Sequence, residues 1–271
     1  MNIPLAGVIG APIGHSRSPA LHGHWLRHYG LRGHYIPMEI AGADLEQVLR
    51  ALPKAGFVGC NVTIPHKEAA LRLADRVSDQ ARRIGAANTL SFDENGIFAD
   101  NTDGYGFITN LRQGAPGWDP LVGPAAIIGA GGAARAIVVA LIEAGCPEIR
   151  ITNRSPARAE ALAAEFGLDP VGWQARGEML DGAALVVNTS AMGMVGQDPF
   201  DVPLDRLSPS AVVTDIVYTP LQTPLLIAAA ARGCVTVDGL GMLLHQAVPG
   251  FERWFGLRPE VTDDLRRAVL A

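Results

Sequence analysis

The sequence is poor in cysteine, carries no excess of positive charge and has no unbroken apolar run long enough to span a membrane. Three cysteines stand among 271 residues, at Cys60, Cys146 and Cys234. They form no CxxC pair and have no histidine at metal-ligand spacing, which argues against a metal site and a disulfide framework. Reduced thiols acting as small core residues of a cytoplasmic protein are expected instead. The longest apolar region, residues 125–142, is interrupted by Gly129, Gly131, Gly132 and Arg135, so it is not read as a transmembrane helix. No Lys or Arg precedes the apolar stretch at residues 3–13, so a signal peptide is not expected. With 22 basic against 27 acidic residues and a net charge of −5, nothing points to a nucleic-acid or membrane partner. A local cluster of donors can still hold an anionic small molecule. What is present is 48% hydrophobic and 18% charged residues, enough to bury a sizeable core in two modest domains.

Short β-rich runs alternate with helical stretches along the whole chain. Strands are predicted at residues 5–9, 34–40 and 57–62, helices at 44–52 and 65–75, and a strand pair at 88–92 and 97–99. Asp93, Asn95 and Gly96 supply the turn between that pair. A helix at 105–111 leads into a Gly- and Pro-rich segment at 113–124, the best candidate for a linker. Beyond it, strands at 125–128, 148–152, 185–188, 212–216 and 235–237 alternate with helices at 133–144 and 156–166. Helical stretches at 240–248 and 259–270 close the chain. Strands separated by helices imply parallel sheets, so the expected fold class is α/β with two domains. The expected boundaries are residues 1–112 plus 239–271 for one domain and 113–238 for the other.

The run Ile127-Ile128-Gly129-Ala130-Gly131-Gly132-Ala133-Ala134 places a glycine-rich turn between a buried strand and a helix. A dinucleotide needs that arrangement: one glycine for the tight turn, the next for close approach of backbone to the pyrophosphate at the helix N-terminus. Ala134 stands where a third glycine is usual and still permits close helix–strand packing, and Gly145 suits the end of the helix. About 20 residues on, an NAD-type domain presents an acid to the ribose hydroxyls. Here the strand ends in Thr152-Asn153-Arg154-Ser155 with Arg158 four residues after Arg154 and no acid. Two guanidiniums on one side of a helix start fit a 2′-phosphate, which favours NADP over NAD.

Three polar clusters mark the first half. After the first strand come Ser16 and Ser18, hydroxyls two residues apart that suit a carboxylate; Ser18 before Pro19 also reads as a helix N-cap. The second cluster is Asn61, Thr63, His66 and Lys67, with Asn61 and Thr63 expected on one face for substrate hydroxyls. Lys67 falls in a first helical turn, where the macrodipole disfavours a cation. The third, Asp100-Asn101-Thr102-Asp103-Gly104, offers Asp103 either as a helix cap or as a partner that orients Lys67 for proton transfer. His15 and His66 are alternative acid–base groups without an evident orienting partner in the sequence.

With those residues in view, the chain resembles the shikimate dehydrogenase family over almost its whole length. The resemblance is carried by GAPIGHSRSPALH (10–22), NVTIPHK (61–67), GAANTL (85–90), DNTDG (100–104), GAGGAAR (129–135), NRS (153–155) and DGLGMLLHQA (238–247). It implies an N-terminal α/β substrate domain completed by the C-terminal helices, a Rossmann-type doubly wound NADP domain, and a cleft between them that closes on ligand. It implies Lys67 and Asp103 as the catalytic pair. Ser16 and Ser18 would hold a carboxylate, with Asn61, Thr63, Asn88, Asp103 and Gln246 on ring hydroxyls and Tyr218 nearby. Gly129, Ala130, Gly131, Gly132 and Ala133 would cradle the pyrophosphate, and Asn153, Arg154, Ser155 and Arg158 the adenosine side. Thr189, Gly239 and Met242 would line the nicotinamide end. Ser155 stands where NADP-specific members more usually carry Thr. The expected activity is NADPH-dependent reduction of 3-dehydroshikimate by a monomer or homodimer without a metal. The rivals are a quinate/shikimate dehydrogenase with looser cofactor use and a non-catalytic sensor of the same fold. Glutamyl-tRNA reductase shares a similar glycine loop, but Cys60 is in the wrong context for its nucleophile.

Overall fold

The computed structural model describes residues 3–271. Its strands are β1 (Leu5–Gly10), β2 (His34–Glu39), β3 (Phe57–Val62), β4 (Arg76–Val77), β5 (Thr89–Asp93), β6 (Gly96–Asp100), β7 (Ala125–Ile128), β8 (Ile149–Thr152), β9 (Asp169–Pro170), β10 (Leu185–Asn188), β11 (Val212–Asp215) and β12 (Val235–Val237). The α-helices are α1 (Ser18–His28), α2 (Leu45–Ala51), α3 (Lys67–Leu73), α4 (Asp79–Ile84), α5 (Asp103–Gly114), α6 (Gly132–Glu143), α7 (Pro156–Phe166), α8 (Pro224–Ala231), α9 (Leu240–Phe255) and α10 (Asp263–Leu270). None is long and apolar enough to cross a membrane among the described residues. Two compact units result: the chain up to Thr102 together with Leu244–Ala271, and Asp103–Leu243.

The first unit holds a sheet ordered β2-β1-β3-β5-β6-β4. β1 runs parallel to β2 and β3, whereas β3–β5 and β5–β6 are antiparallel. The turn-linked strand pair expected at 88–92 and 97–99 is the β5–β6 hairpin, and its antiparallel pairing with β3 makes this sheet mixed. The turn at Asp93–Gly96 is too short for a crossover, so it forces an antiparallel hairpin into the sheet. Ile9, Leu49, Cys60, Leu90 and Ala99 bury one side of it. Trp254 of α9 packs with Val8 and Tyr35 in a second cluster.

The second unit holds a wholly parallel sheet ordered β12-β11-β10-β7-β8-β9. The chain winds outward from β7 through β8 to β9, then returns to β10 and winds the other way. That reversal puts a topological switch point at the carboxyl ends of β7 and β10, where doubly wound sheets bind ligands. β7 and β10 are buried along their full length, as a strand covered on both faces must be. The α6 residues Ala134, Ile137, Val138 and Leu141 pack with Ile127, Val187 and Phe107.

Several element boundaries differ from the predicted ones. α5 runs on to Gly114, so the irregular segment starts at Ala115. α9 continues seven residues past Val248 with Pro249 inside it, because Phe251 and Trp254 of its last turns are core residues. The final helix begins at Asp263, after Thr262 accepts the Leu265 N–H as N-cap. Gly145 takes a φ of +90° just past α6, as expected of a residue that ends a helix.

Candidate active site

In the first unit, the loops leaving β1 and β3 lie side by side because those strands are parallel neighbours. Ala11 N–H donates to the Ile64 carbonyl and Thr63 N–H to that of Ile9, which joins the two loops. Gly10 is needed at this crossing, since a Cβ there would lie 2.6 Å from the Thr63 methyl carbon. On the β1 loop Ser18 is buried and Ser16 half-buried. The N-cap assignment of Ser18 is corrected by the structure. Arg17 is the cap residue, and it is Ser16 Oγ that accepts the Ser18 N–H, at 3.3 Å. Ser16 thus closes a turn onto the Ser18 backbone, and no cap bond ties up the Ser18 hydroxyl.

On the β3 loop Lys67 is the first residue of α3, in the first turn as expected, and half-buried. Its carbonyl accepts the Ala87 N–H at 2.9 Å, which sets the lysine backbone beside the residue preceding Asn88. His66 is buried at the α3 N-cap with Nε2 2.8 Å from the Ile40 carbonyl. It has the partner that the sequence did not reveal, and that partner makes it structural. His15 is exposed.

Asn61 and Thr63 do not present equivalent side chains. Thr63 lies just past the end of β3 and is half-buried, while Asn61 is buried inside a polar network. Tyr35 Oη donates to Asn61 Oδ1 at 2.7 Å. Asn61 Nδ2 donates to the Asn88 carbonyl at 3.1 Å and to Thr89 Oγ1 at 3.2 Å. Asn88 Nδ2 reaches Gln246 Oε1 at 3.1 Å, and Asn88 Oδ1 accepts the Thr102 N–H at 2.9 Å. Thr102 Oγ1 donates to the Gln246 carbonyl at 2.8 Å. The structure therefore brings Asn61, Asn88 and Gln246 together, and Asp103 follows Thr102 directly in the chain. Tyr35, Thr89 and Thr102 belong to the same network and were not singled out from the sequence. Thr102 lay inside a recognised motif, whereas Tyr35 reads as an ordinary strand aromatic.

Burial sets the electrostatics around that network. The Tyr35 phenol is pushed well above its usual 10 by burial and by Cys60 nearby, with the Ser18 hydroxyl opposing. It is a permanent donor. His22 stacks on Tyr35 at 3.9 Å between centroids, and burial lowers its pKa to about 3, with Asn61 opposing. It stays neutral. Burial works against the Asp100 carboxylate, but the Ser78 hydroxyl, Arg253 and the Asn101 N–H outweigh it and hold its pKa below the ordinary value.

In the second unit the glycine turn sits at the switch point. Gly129 has a φ of +107°, and a Cβ there would lie 2.8 Å from Thr189 Oγ1. Thr189 Oγ1 itself donates toward the Ile128 and Gly129 carbonyls at 3.0 Å each, so this residue from the end of β10 holds the turn. Gly131 and Gly132 are exposed, and a Cβ on either would meet nothing within 4 Å. No side chain caps the N-terminus of the twelve-residue α6. Its first N–H groups face an open backbone cradle with the positive end of the dipole behind it, a site that fits a pyrophosphate. Ala130 and Ala133 flank the two glycines and are half-buried. Asn153 Oδ1 accepts the Ala130 N–H at 3.1 Å and its Nδ2 donates to the Ser155 carbonyl at 3.0 Å, bridging the turn to the tip of β8.

Arg154, Ser155 and Arg158 are exposed. Arg154 and Ser155 precede α7, so Arg154 and Arg158 are not an i,i+4 pair within one helix. Arg154 Nη1 instead donates to Asp198 Oδ2 at 2.6 Å. Of the remaining residues, Tyr218 is half-buried and Met242 packs into the core of this unit. Gly239 is forced by packing, since a Cβ there would overlap the Ile216 and Asp215 backbone. Asp215 was not singled out from the sequence. It accepts from Asn188 Nδ2 at 2.9 Å, the Val217 N–H at 3.0 Å and Thr223 Oγ1 at 2.7 Å. Burial nevertheless raises its pKa to about 6. The three cysteines are free, and Cys60 and Cys234 are buried, as expected of structural thiols.

The chain is similar in sequence and fold to known proteins. Residues 8–90 match the shikimate dehydrogenase substrate binding domain, 123–191 the shikimate/quinate 5-dehydrogenase model and 239–270 the shikimate 5′-dehydrogenase C-terminal domain. A shikimate dehydrogenase (NADP(+)) from Cereibacter sphaeroides is 65% identical, with 100% of this chain and 98% of that protein covered. The crystal structure of shikimate 5-dehydrogenase from Thermus thermophilus in complex with NADP(H) and shikimate has a TM-score of 0.88 at 39% identity, over 98% of each chain. Quinate dehydrogenase from Corynebacterium glutamicum in complex with NAD has a TM-score of 0.91 at 34% identity, again over 98% of each. The chain belongs to the shikimate dehydrogenase family.

Proposed function

We propose that this chain catalyses the reversible NADP-dependent reduction of 3-dehydroshikimate to shikimate, in aromatic amino-acid biosynthesis. The observation that carries the reading is the buried network of Asn61, Asn88, Thr102 and Gln246, which ends beside Lys67 and leads straight into Asp103. A ring with several hydroxyls needs a fixed array of donors and acceptors, and a network whose members orient one another supplies it. Ser16 and Ser18 bind the substrate carboxylate, and Asn61, Thr63, Asn88, Gln246 and Tyr218 bind the hydroxyl-bearing ring. Functionally, residues 1–112 with 239–271 serve the substrate and 113–238 the cofactor.

Gly129, Ala130, Gly131, Gly132 and Ala133 hold the pyrophosphate of NADP. Asn153, Arg154, Ser155 and Arg158 hold the adenosine end with its 2′-phosphate, and Thr189, Gly239 and Met242 the nicotinamide end. A bound NADP would supply the hydride chemistry at C3 of the substrate. Lys67 stabilises the negative charge that develops on the C3 oxygen and delivers the proton there; in reverse it removes it. Asp103 orients the lysine. A cytoplasmic setting, as monomer or homodimer, suits three unpaired thiols.

Initial rates with shikimate and quinate, each with NADP and NAD, test the assignment. Turnover dominated by shikimate with NADP is expected. Comparable rates with quinate or NAD would move the chain to the dual-substrate branch, and cofactor binding without turnover would make it a sensor. Lys67→Ala should collapse kcat while KM for shikimate changes little; equal losses would reduce Lys67 to a binding group.

A further inference from the structure

We propose that Asp198 moderates the cofactor preference, acting as a tethered carboxylate that competes with the 2′-phosphate of NADP for Arg154. The inference rests on the reading of Arg154 as a phosphate-binding residue. The two side chains come from different loops at the carboxyl edge of one sheet, after β8 and after β10, and meet at 2.6 Å. They are 61% and 62% exposed, so a phosphate arriving from solvent can reach the guanidinium.

Asp198 is held in place by more than its ion pair. Its carbonyl accepts the Gly193 N–H at 2.8 Å, Gln197 N–H donates to the Met194 carbonyl at 3.0 Å, and Val195 N–H to that of Thr219 at 3.0 Å. Gly193 and Gly196, with φ of +81° and +78°, make the turns that these bonds close. The loop therefore holds the Asp198 backbone within side-chain reach of the guanidinium whether or not Arg154 is there to attract the carboxylate. An exposed pair of this kind contributes little to stability. Its consequence lies in what else Arg154 can bind.

A phosphate held by Arg154 either displaces the carboxylate or lies within a few ångströms of it. In the first case the ion pair is lost, and in the second two anions repel. Between unit charges about 4 Å apart in water, repulsion corresponds to roughly a fivefold change in affinity, reduced by salt. NAD brings only ribose hydroxyls to the same place. A carboxylate there accepts their hydrogen bonds, the role an acid at the strand tip fills in NAD-binding domains. Asp198 thus weakens NADP binding and leaves NAD unharmed or favoured. It narrows a preference that Arg154 and Arg158 create.

Dissociation constants for NADP and NAD, from quenching of protein fluorescence at low and high ionic strength, test this on the wild type, Asp198→Asn and Arg154→Ala. In Asp198→Asn we expect NADP to bind about three- to tenfold tighter at low salt, NAD to be unchanged or weaker, and the gain to shrink at high salt. Arg154→Ala should weaken NADP and spare NAD. If Arg154→Ala behaves so while Asp198→Asn leaves the ratio unchanged, the competition is refuted and the phosphate contact stands. A parallel change for both cofactors in Asp198→Asn would show that the residue only shapes its loop, which also overturns the proposal. An NADP affinity indifferent to Arg154→Ala would remove the underlying reading of Arg154 itself. Both side chains are exposed, and an unchanged Tm confirms that each variant is folded.

Discussion

The hydroxyl of Tyr35 donates to Oδ1 of Asn61 at 2.7 Å in a buried environment, on the side of an asparagine amide whose orientation the Asn88 carbonyl, an acceptor only, fixes. With Oδ1 turned to the phenol, Nδ2 is left for the Asn88 carbonyl and Thr89 Oγ1. Both amide protons are then used, so Asn61 can offer a ligand only its remaining acceptor lone pair.

Tyr35→Phe removes that bond together with the contact to the Ser18 hydroxyl. It should cost about 1–2 kcal/mol of stability, because Asn61 Oδ1 loses a buried partner. KM for shikimate should rise several-fold with kcat and the NADP affinity nearly unchanged. Combined with Asn61→Ala it should add nothing further to KM, since the tyrosine acts through the asparagine. Additive effects in the double variant would show that Tyr35 acts by another route.

Much of this was legible in the sequence and some was not, for identifiable reasons. The β7–turn–α6 unit could be read because glycine spacing, a buried strand and an apolar helix all point the same way. The bounds of β3, β7, β10, β12 and α7 match the predicted ones residue for residue. Beyond the β5–β6 hairpin, which its turn residues announced, pairing direction in the first sheet was less accessible, since it depends on which strand lies next to which. That Arg17 and not Ser18 is the α1 cap residue follows from the helical backbone of Arg17, with φ −85° and ψ −5°, which serine–proline spacing does not specify. Tyr35 and Asp215 escaped notice because their partners are 26 and 27 residues away or lie in other loops. Nothing local distinguishes them from a strand aromatic and a strand-end acid.

The glycine turn separates conformational need from ligand need. Gly129→Ala places a side chain at a φ of +107° and against Thr189 Oγ1, so it should destabilise the fold by about 1–3 kcal/mol or more. Gly131→Ala meets no atom within 4 Å and takes extended backbone, so its Tm should stay near wild type. The added methyl nonetheless stands where a pyrophosphate must approach, and KM for NADP should rise at least tenfold. Wild-type cofactor kinetics in Gly131→Ala would place the pyrophosphate elsewhere.

Asp215 makes stability depend on pH with an unusual sign. Its carboxyl titrates near 6 in the folded protein against an ordinary 3.8, because burial disfavours the charge more than its three donors support it. Between those values the native state binds more protons than the unfolded one, so this group's contribution falls as pH rises through the window. The stabilisation is fully present below about pH 4 and lost once the pH passes about 6, an effect of up to roughly 2–3 kcal/mol. Denaturant melts of wild type and Asp215→Asn across that range should differ in slope. Identical slopes would mean that the carboxyl titrates normally.

Gly59 gives the sharpest packing test in the first unit. It lies in β3 opposite Ser91 of β5, and a Cβ there would overlap both the Trp254 indole nitrogen and the Leu90 carbonyl oxygen. Trp254 Nε1 donates to that same carbonyl at 3.0 Å, so the indole crosses the strand where a side chain would stand. Gly59→Ala must push Trp254 off its hydrogen bond and strain a tightly packed core, at a cost of about 3 kcal/mol or more. Trp254→Phe removes the nitrogen and its bond, which opens room over the strand. The double variant Gly59→Ala/Trp254→Phe should therefore be clearly more stable than the sum of the two single losses predicts. Strict additivity would mean that the alanine methyl is accommodated by movement of β3 itself. In that case the indole's position over the glycine is a consequence of the packing and not the reason for the residue.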